Sequence, residues 1–220
     1  MMSRKLFDNE VAGIKDEIKK TAEFVSTEIE RAVDAVENWD TELAKEIIER
    51  DEFADSEFIK GQEVCAKLIA KYQPLSTDLR FIEAVISVLA NLERTADYAV
   101  DIARVLTYYK EKQFITKESI GIMREMQKKG CEALVKAVDA FVEENIEKTK
   151  EVHELERKSD ELYAHMFAVL EERIKKKPEA SYTAFSEILI ARALERVGDR
   201  AVNIANRTAY LITGDAKYLR

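Results

Sequence analysis

The sequence predicts an all-α protein: two tandem three-helix bundles related by pseudo-twofold symmetry, six long antiparallel helices in all. Three observations carry this. The 220 residues include only 6 Gly and 2 Pro, so few positions interrupt a helix. Apolar residues recur every three or four positions, the spacing of one helical face. And the chain repeats itself: Leu92–Ala103, L-E-R-T-A-D-Y-A-V-D-I-A, returns at Leu194–Ala205 as L-E-R-V-G-D-R-A-V-N-I-A, identical at eight of twelve positions.

The first helix is expected over residues 3–38, with Ile14, Ile18, Ala22, Val25, Ile29, Ala32, Val33 and Val36 on its buried face. Asn38-Trp39-Asp40 ends it, and Asp40 is a good N-cap for the next. The second helix is expected to run unbroken over 41–72, burying Leu43, Ile47, Ala54, Phe58, Cys65 and Ile69, until Pro74 stops it. The third spans 77–109 with a stripe from Leu79 through Ile82, Leu89, Leu92, Ala96 and Val100 to Leu106. After a polar connection the fourth begins at Lys117 behind the cap Thr116 and ends at Asn145. The fifth covers 146–177, closing with three lysines and Pro178, cations at the negative end of the helix dipole. The sixth covers 179–213 and stops at Gly214. A helix of about thirty residues is about 45 Å long and cannot bury its stripe alone. Short connections make neighbours antiparallel.

The second half repeats the first, giving units of residues 1–112 and 113–220. Ala32-Val33-Asp34-Ala35 returns at 137–140, and the same offset sets Asp51 against Glu156 and Asp55 against Asp160. The third and sixth helices match at an offset three residues smaller.

A net charge of −8 argues against nucleic-acid binding, which needs excess Lys and Arg. Cys65 and Cys131 lie far apart with no Cys-x-x-Cys, which gives neither a disulfide framework nor a zinc site. The N-terminus has no apolar run of the signal-peptide kind, and no apolar stretch is long enough to span a bilayer. A soluble, cytoplasmic protein is expected.

The chemistry-bearing feature is a set of acid pairs four residues apart: Asp51 with Asp55, Glu93 with Asp97, Glu156 with Asp160, and Glu195 with Asp199. Asp101 and Asn203 sit one turn beyond the second and fourth pairs. Spacing of four puts both carboxylates on one helix face. Chance alone yields roughly eight or nine such pairs in a chain this acidic. What singles these out is that all four recur at matched positions in the two halves. Like charges at this spacing destabilise a helix by a few tenths of a kcal/mol. Asp51 and Asp55 should face Glu93 and Asp97 across the groove between the second and third helices. Converging carboxylates raise one another's pKa or recruit hard cations. The competing reading is an ion-pair network with Arg80, Arg94 and Arg104 in one half and Arg192, Arg196 and Arg200 in the other. His153 and His165 do not recur in the first half and lack the Glu-x-x-His spacing of di-iron sites; they are read as ordinary helix residues. Gly198 is expected to allow close helix approach.

These motifs resemble the PhoU family, regulators of bacterial and archaeal phosphate uptake. The match rests on P-L-S-T-D-L-R-F-I-E-A-V-I-S-V-L-A-N-L-E-R-T-A-D-Y-A-V-D-I-A-R at Pro74–Arg104 and A-R-A-L-E-R-V-G-D-R-A-V-N-I-A-N-R at Ala191–Arg207. The family's L-E-R-I-G-D-x-A-x-N-I-A pattern is recognisable in both. The resemblance implies that the four acid pairs are the family's metal motifs, holding a divalent metal or iron cluster (Fe, Mn, Mg, Zn or Ca). It implies a non-catalytic role, dampening phosphate import and starvation signalling. The implied partners are the ATPase subunit of a phosphate ABC transporter and a membrane sensor histidine kinase, with a homodimer as the expected assembly and membrane association only through partners. Thr95-Ala96 and Asp101 depart from the pattern in the first copy; the second, with Val197-Gly198 and Asn203, is closer. The alternatives are a metal-free helical adaptor of another phosphate permease and a carboxylate-bridged metal oxidase.

Overall fold

The computed structural model describes residues 2–108 and 115–219. They form seven α-helices: α1 (Met2–Asn38), α2 (Thr41–Glu49), α3 (Glu52–Tyr72), α4 (Thr77–Tyr108), α5 (Lys117–Glu143), α6 (Ile146–Lys176) and α7 (Ser181–Thr213). Short 3-10 turns occupy Pro178–Ala180 and Ala216–Leu219. With α2 and α3 counted as one broken helix, the architecture is two three-helix bundles, as the sequence predicts. The boundary expected at 112/113 and the last residue of the expected third helix, Tyr109, lie outside the described residues.

The duplication is visible in how the helices end. After α1, Trp39 adopts the left-handed conformation (φ 57°) and Asp40 N–H returns to the Ala35 carbonyl at 2.9 Å. After α5, Glu144 does the same (φ 53°) and Asn145 N–H returns to Ala140 at 2.9 Å. Each is a Schellman closure. The side chain of the following residue then caps the next helix: Asp40 accepts from the N–H groups of Glu42 and Leu43, and Asn145 from those of Glu147 and Lys148.

The expected single helix over 41–72 is broken at Arg50–Asp51, which corrects the sequence reading. Arg50 leaves helical geometry (φ −88°, ψ 1°). Its guanidinium lies 3.1 Å from Glu28 and over the Phe24 ring. Glu28 is only 3% exposed, and a carboxylate buried there needs cationic partners; Arg31 is the other. The matching residue in the second half is Leu155, which is buried, and α6 runs unbroken. The break also turns the buried face: Leu68 is fully buried, whereas Ile69 is 41% exposed. Pro178 likewise delays the last helix, which starts at Ser181 after a 3-10 turn rather than at Glu179.

α4 is buried on most sides because α1, α2, α3 and α7 all pack on it. α7 in turn packs on α4, α5 and α6, and α1 packs on α5. The bundles are therefore joined along two seams. The apolar core divides along the helices' length rather than by bundle. One cluster joins Ile18, Leu68, Val85 and Leu92 to Leu134, Phe141 and Ile204. The other joins Ile29, Ile47 and Ile102 to Met123, Met166 and Leu194. Phe81 and Phe141 stack across the halves, with ring centroids 5.6 Å apart and planes 12° from parallel. Phe141 is fully buried, so Phe141→Ala should cost about 3–5 kcal/mol, whereas Phe141→Leu, closer in volume, should cost far less; urea midpoints would read the difference.

Candidate metal centre

Asp51 sits in the break between α2 and α3, and Asp55 in the first turn of α3. Glu93 and Asp97 lie on the face of α4 turned to that junction. The four carboxylates face one another across the groove, and their electrostatics record it. Burial is the main force raising the Asp97 carboxyl above its ordinary value, followed by the negative charges of Asp51, Asp55 and Asp101, against which Arg94 acts. Glu93 is raised by burial, then by Asp97 and Asp55. Asp51 is raised by burial and Asp55, and its Oδ1 is buried with no hydrogen-bond partner.

The second half builds the same arrangement from α6 and α7. Gly198 lies against Glu156: a Cβ there would stand 3.5 Å from Glu156 Cγ and 3.7 Å from its Cα. Both are ordinary van der Waals distances, so α6 and α7 are in contact at the level of the acids but the helix spacing does not require a glycine at 198. Burial, then Asp160 and Asp199, a hydrogen bond with Asp160, and Glu195 push the Glu156 carboxyl up to about 7. Glu195 is raised by burial and Asp199, with Arg192 opposing. Its Oε1 accepts from Arg192 at 2.6 Å, and its Oε2 is buried without a partner.

Arginine compensation is thin. Among the described residues, Glu195 is the one member of the four pairs in a close ion pair, and Asp101 lies 3.8 Å from Arg104. Arg80 instead reaches Thr77, and Arg200 lines a cavity on another face of α7. Asp101 also lines the α4–α7 seam, in a cavity of about 570 Å³ with Tyr98, Arg192 and Arg196. Asn203 is exposed and lines the same cavity as Arg200. His153 holds Asn206 at 3.1 Å and His165 is exposed. Burial raises both thiols, Cys65 and Cys131, to about 11, so neither offers a thiolate at neutral pH.

The donor chemistry fits a hard cation: carboxylate oxygens only, with two of them buried and unsatisfied. The ligand geometry is not pre-formed. Among the described residues, no three Asp, Glu, His or Cys side chains converge closely enough to hold a metal ion.

A duplicated helical protein with paired acidic ridges, one per repeat, is the class that this fold and site define. The chain belongs to the PhoU family: the pattern described as PhoU domain matches it twice, at residues 18–106 and 123–208. It is 30% identical over 218 residues to the phosphate-specific transport system accessory protein PhoU homolog of Clostridium acetobutylicum, covering 97% of each chain. It is likewise 30% identical over 211 residues to the PhoU homolog 1 of Methanothermobacter thermautotrophicus, covering 96% of this chain and 95% of that one. The crystal structure of PhoU from Pseudomonas aeruginosa superposes with a TM-score of 0.86 at 25% identity, covering 95% of this chain and all of that one. The phosphate transport system regulatory protein PhoU of Streptococcus pneumoniae gives 0.83 at 26% identity, covering 95% and 98%.

Proposed function

We propose that the protein is a negative regulator of phosphate uptake and of phosphate-starvation signalling, working by docking rather than catalysis. Its relatives are named as accessory proteins of the phosphate-specific transport system, and the likeness covers nearly the whole chain. No helix among the described residues is long and apolar enough to cross a membrane, so contact with a transporter runs through partner subunits. The proposed partners are the transporter's ATPase subunit and a membrane sensor kinase, met in the cytoplasm by a homodimer.

The observation that supports the mechanism is the matched pair of carboxylate clusters in which, among the described residues, only Glu195 has a close arginine partner. Asp51, Asp55, Glu93 and Asp97, with Asp101 at the edge, would hold one hard cation or metal cluster. Glu156, Asp160, Glu195 and Asp199 would hold the other. A bound metal would supply positive charge to offset the carboxylates' mutual repulsion; the chain's own part is to keep α3 against α4 and α6 against α7 at the level of the acids. Deleting the gene should raise phosphate uptake and phosphate-responsive expression several-fold. The Asp97→Ala, Asp199→Ala double variant, folded by circular dichroism, should lose stoichiometric metal in elemental analysis. Unchanged phosphate handling in the deletion would refute the regulatory reading, and full metal retention by the variant would refute these ligands.

A further inference from the structure

We propose that the seam between α4 and α7 carries an oxyanion site that takes phosphate, free or as a monoester. A cavity of about 300 Å³ lies there, lined by Ser87 and Asn91 of α4 and by Arg200, Asn203, Asn206 and Arg207 of α7. Tyr218, in the C-terminal 3-10 turn, completes the lining. No acidic residue contributes to it, in a chain with 43 acids against 35 Lys and Arg.

The two arginines are placed as an anion site requires. Neither Arg200 nor Arg207 makes an ion pair among the described residues; Arg207 lies over the Tyr210 ring, 5.9 Å from its centroid. Arg200 Nε is buried with no hydrogen-bond partner, and a buried donor left unmade is costly. Planar guanidiniums match the oxygens of phosphate in paired hydrogen bonds.

The neutral side chains sort themselves into donors and an acceptor. Asn206 Oδ1 is taken by His153 Nε2 at 3.1 Å, which leaves its NH₂ to donate. Asn91 gives its NH₂ to the Ser87 carbonyl at 2.7 Å, which leaves its oxygen to accept. An acceptor beside two cations suits an anion that still carries a proton. Hydrogenphosphate does at neutral pH; sulfate does not. The volume exceeds a bare ion's, so the cavity also has room for an ester's organic part.

The internal repeat supplies a comparison. At the offset that aligns α4 with α7, Arg200 and Arg207 correspond to Tyr98 and Val105, Asn203 to Asp101, and Ser87 and Asn91 to Leu189 and Ala193. Those counterparts line the larger cavity at the opposite end of the seam. Two positions equivalent by symmetry have thus diverged: the larger cavity sets Asp101 among Arg104, Arg192 and Arg196, whereas the smaller keeps two arginines and three amides with no carboxylate beside them.

The test is isothermal titration of the full chain, purified without phosphate buffer, with inorganic phosphate, glycerol phosphate and sulfate. Saturable phosphate binding is expected, weakened at least about tenfold by Arg200→Met with Arg207→Met, and by Asn203→Asp. Asn203 is exposed, so Asn203→Asp keeps the fold while placing a carboxylate in the cavity. Arg104→Met, at the opposite end, should bind phosphate as the parent does. Tighter binding of inorganic phosphate would identify the free ion as the ligand, and tighter binding of glycerol phosphate an ester; either supports the site. No saturation in the millimolar range, equal binding of sulfate, or undiminished binding by Asn203→Asp would overturn it. None of these outcomes depends on the regulatory reading, because all are read on the purified protein.

Discussion

Arg173→Met is expected to cost about 3–5 kcal/mol of stability at pH 7. Arg173 Nη2 stands 2.5 Å from Glu187 Oε1, joining α6 to α7, with Glu187 side-chain exposure at 0% and Arg173 at 11%. Burial drives the Glu187 carboxyl up, while hydrogen bonds from Ser119 and Arg173 hold it down; burial prevails and the net shift is upward. Without Arg173 the carboxylate stays buried with little to offset its desolvation. Two further outcomes separate this from a simple packing loss. Arg173→Met combined with Glu187→Leu should recover most of the stability, because replacing both partners with apolar groups removes the unpaired charge. And the single variant's deficit should shrink as pH falls: a folded-state pKa raised further above the unfolded value favours the protonated fold, an advantage that is lost as pH rises. Urea unfolding between pH 5 and 8 would decide. A deficit that neither changes with pH nor yields to the double replacement would contradict the account.

This pair shows where sequence reading stops. Arg173 and Glu187 lie on helices joined by the Pro178 turn, and each alone resembles the many surface charges around it. What is local was legible. Asp40 and Asn145 were recognisable as caps or breaks because the cap forms within three residues. The acid pairs were legible because spacing of four fixes a shared helix face, and the repeat distinguished them from chance. The facing of Asp51 and Asp55 toward Glu93 and Asp97 followed from antiparallel neighbours. The break at Arg50 was not legible, because the partner its guanidinium reaches, Glu28, lies on another helix. The division of the core along the helices was hidden as well. Stripe positions say that a face is buried, not against which partner; Phe81 and Phe141 meet only because α1 and α4 pack across onto the second bundle. The α4–α7 cavity had no signal at all: Asn91 and Arg207 are brought together by the seam, and no motif joins them.

The second large effect concerns charge in the acidic clusters. With cations removed by chelator, the protein should lose stability as pH rises from about 4.5 through about 7. Glu156 carries most of the argument, its carboxyl raised from 4.5 to about 7 by burial and by the charges of Asp160, Asp199 and Glu195. On α7, Arg192 and Arg196 oppose the rise at Glu195 without cancelling it. A folded-state pKa above the unfolded one means that the fold binds the proton more tightly. The resulting stabilisation is complete below the unfolded value and disappears as pH passes the folded value. The formal size is about 3 kcal/mol, at 1.36 kcal/mol per unit. Solvent screening at this half-buried position reduces it to about 1–2 kcal/mol. Glu156→Gln removes the titrating charge, so at pH 8 in chelator the variant should be more stable than the parent by that amount. Adding Mn²⁺ or Mg²⁺ should reverse the order. A cation binding the folded parent at a hundred times its dissociation constant adds about 2.7 kcal/mol, and the variant, one carboxylate short, should gain less. Thermal melts at pH 5 and pH 8, with chelator and then with each cation, resolve these effects. A flat pH profile in chelator would show that the carboxylates do not strain the fold. A pH-dependent profile with equal cation gains for parent and variant would show that the strain is real but that the metal sits elsewhere.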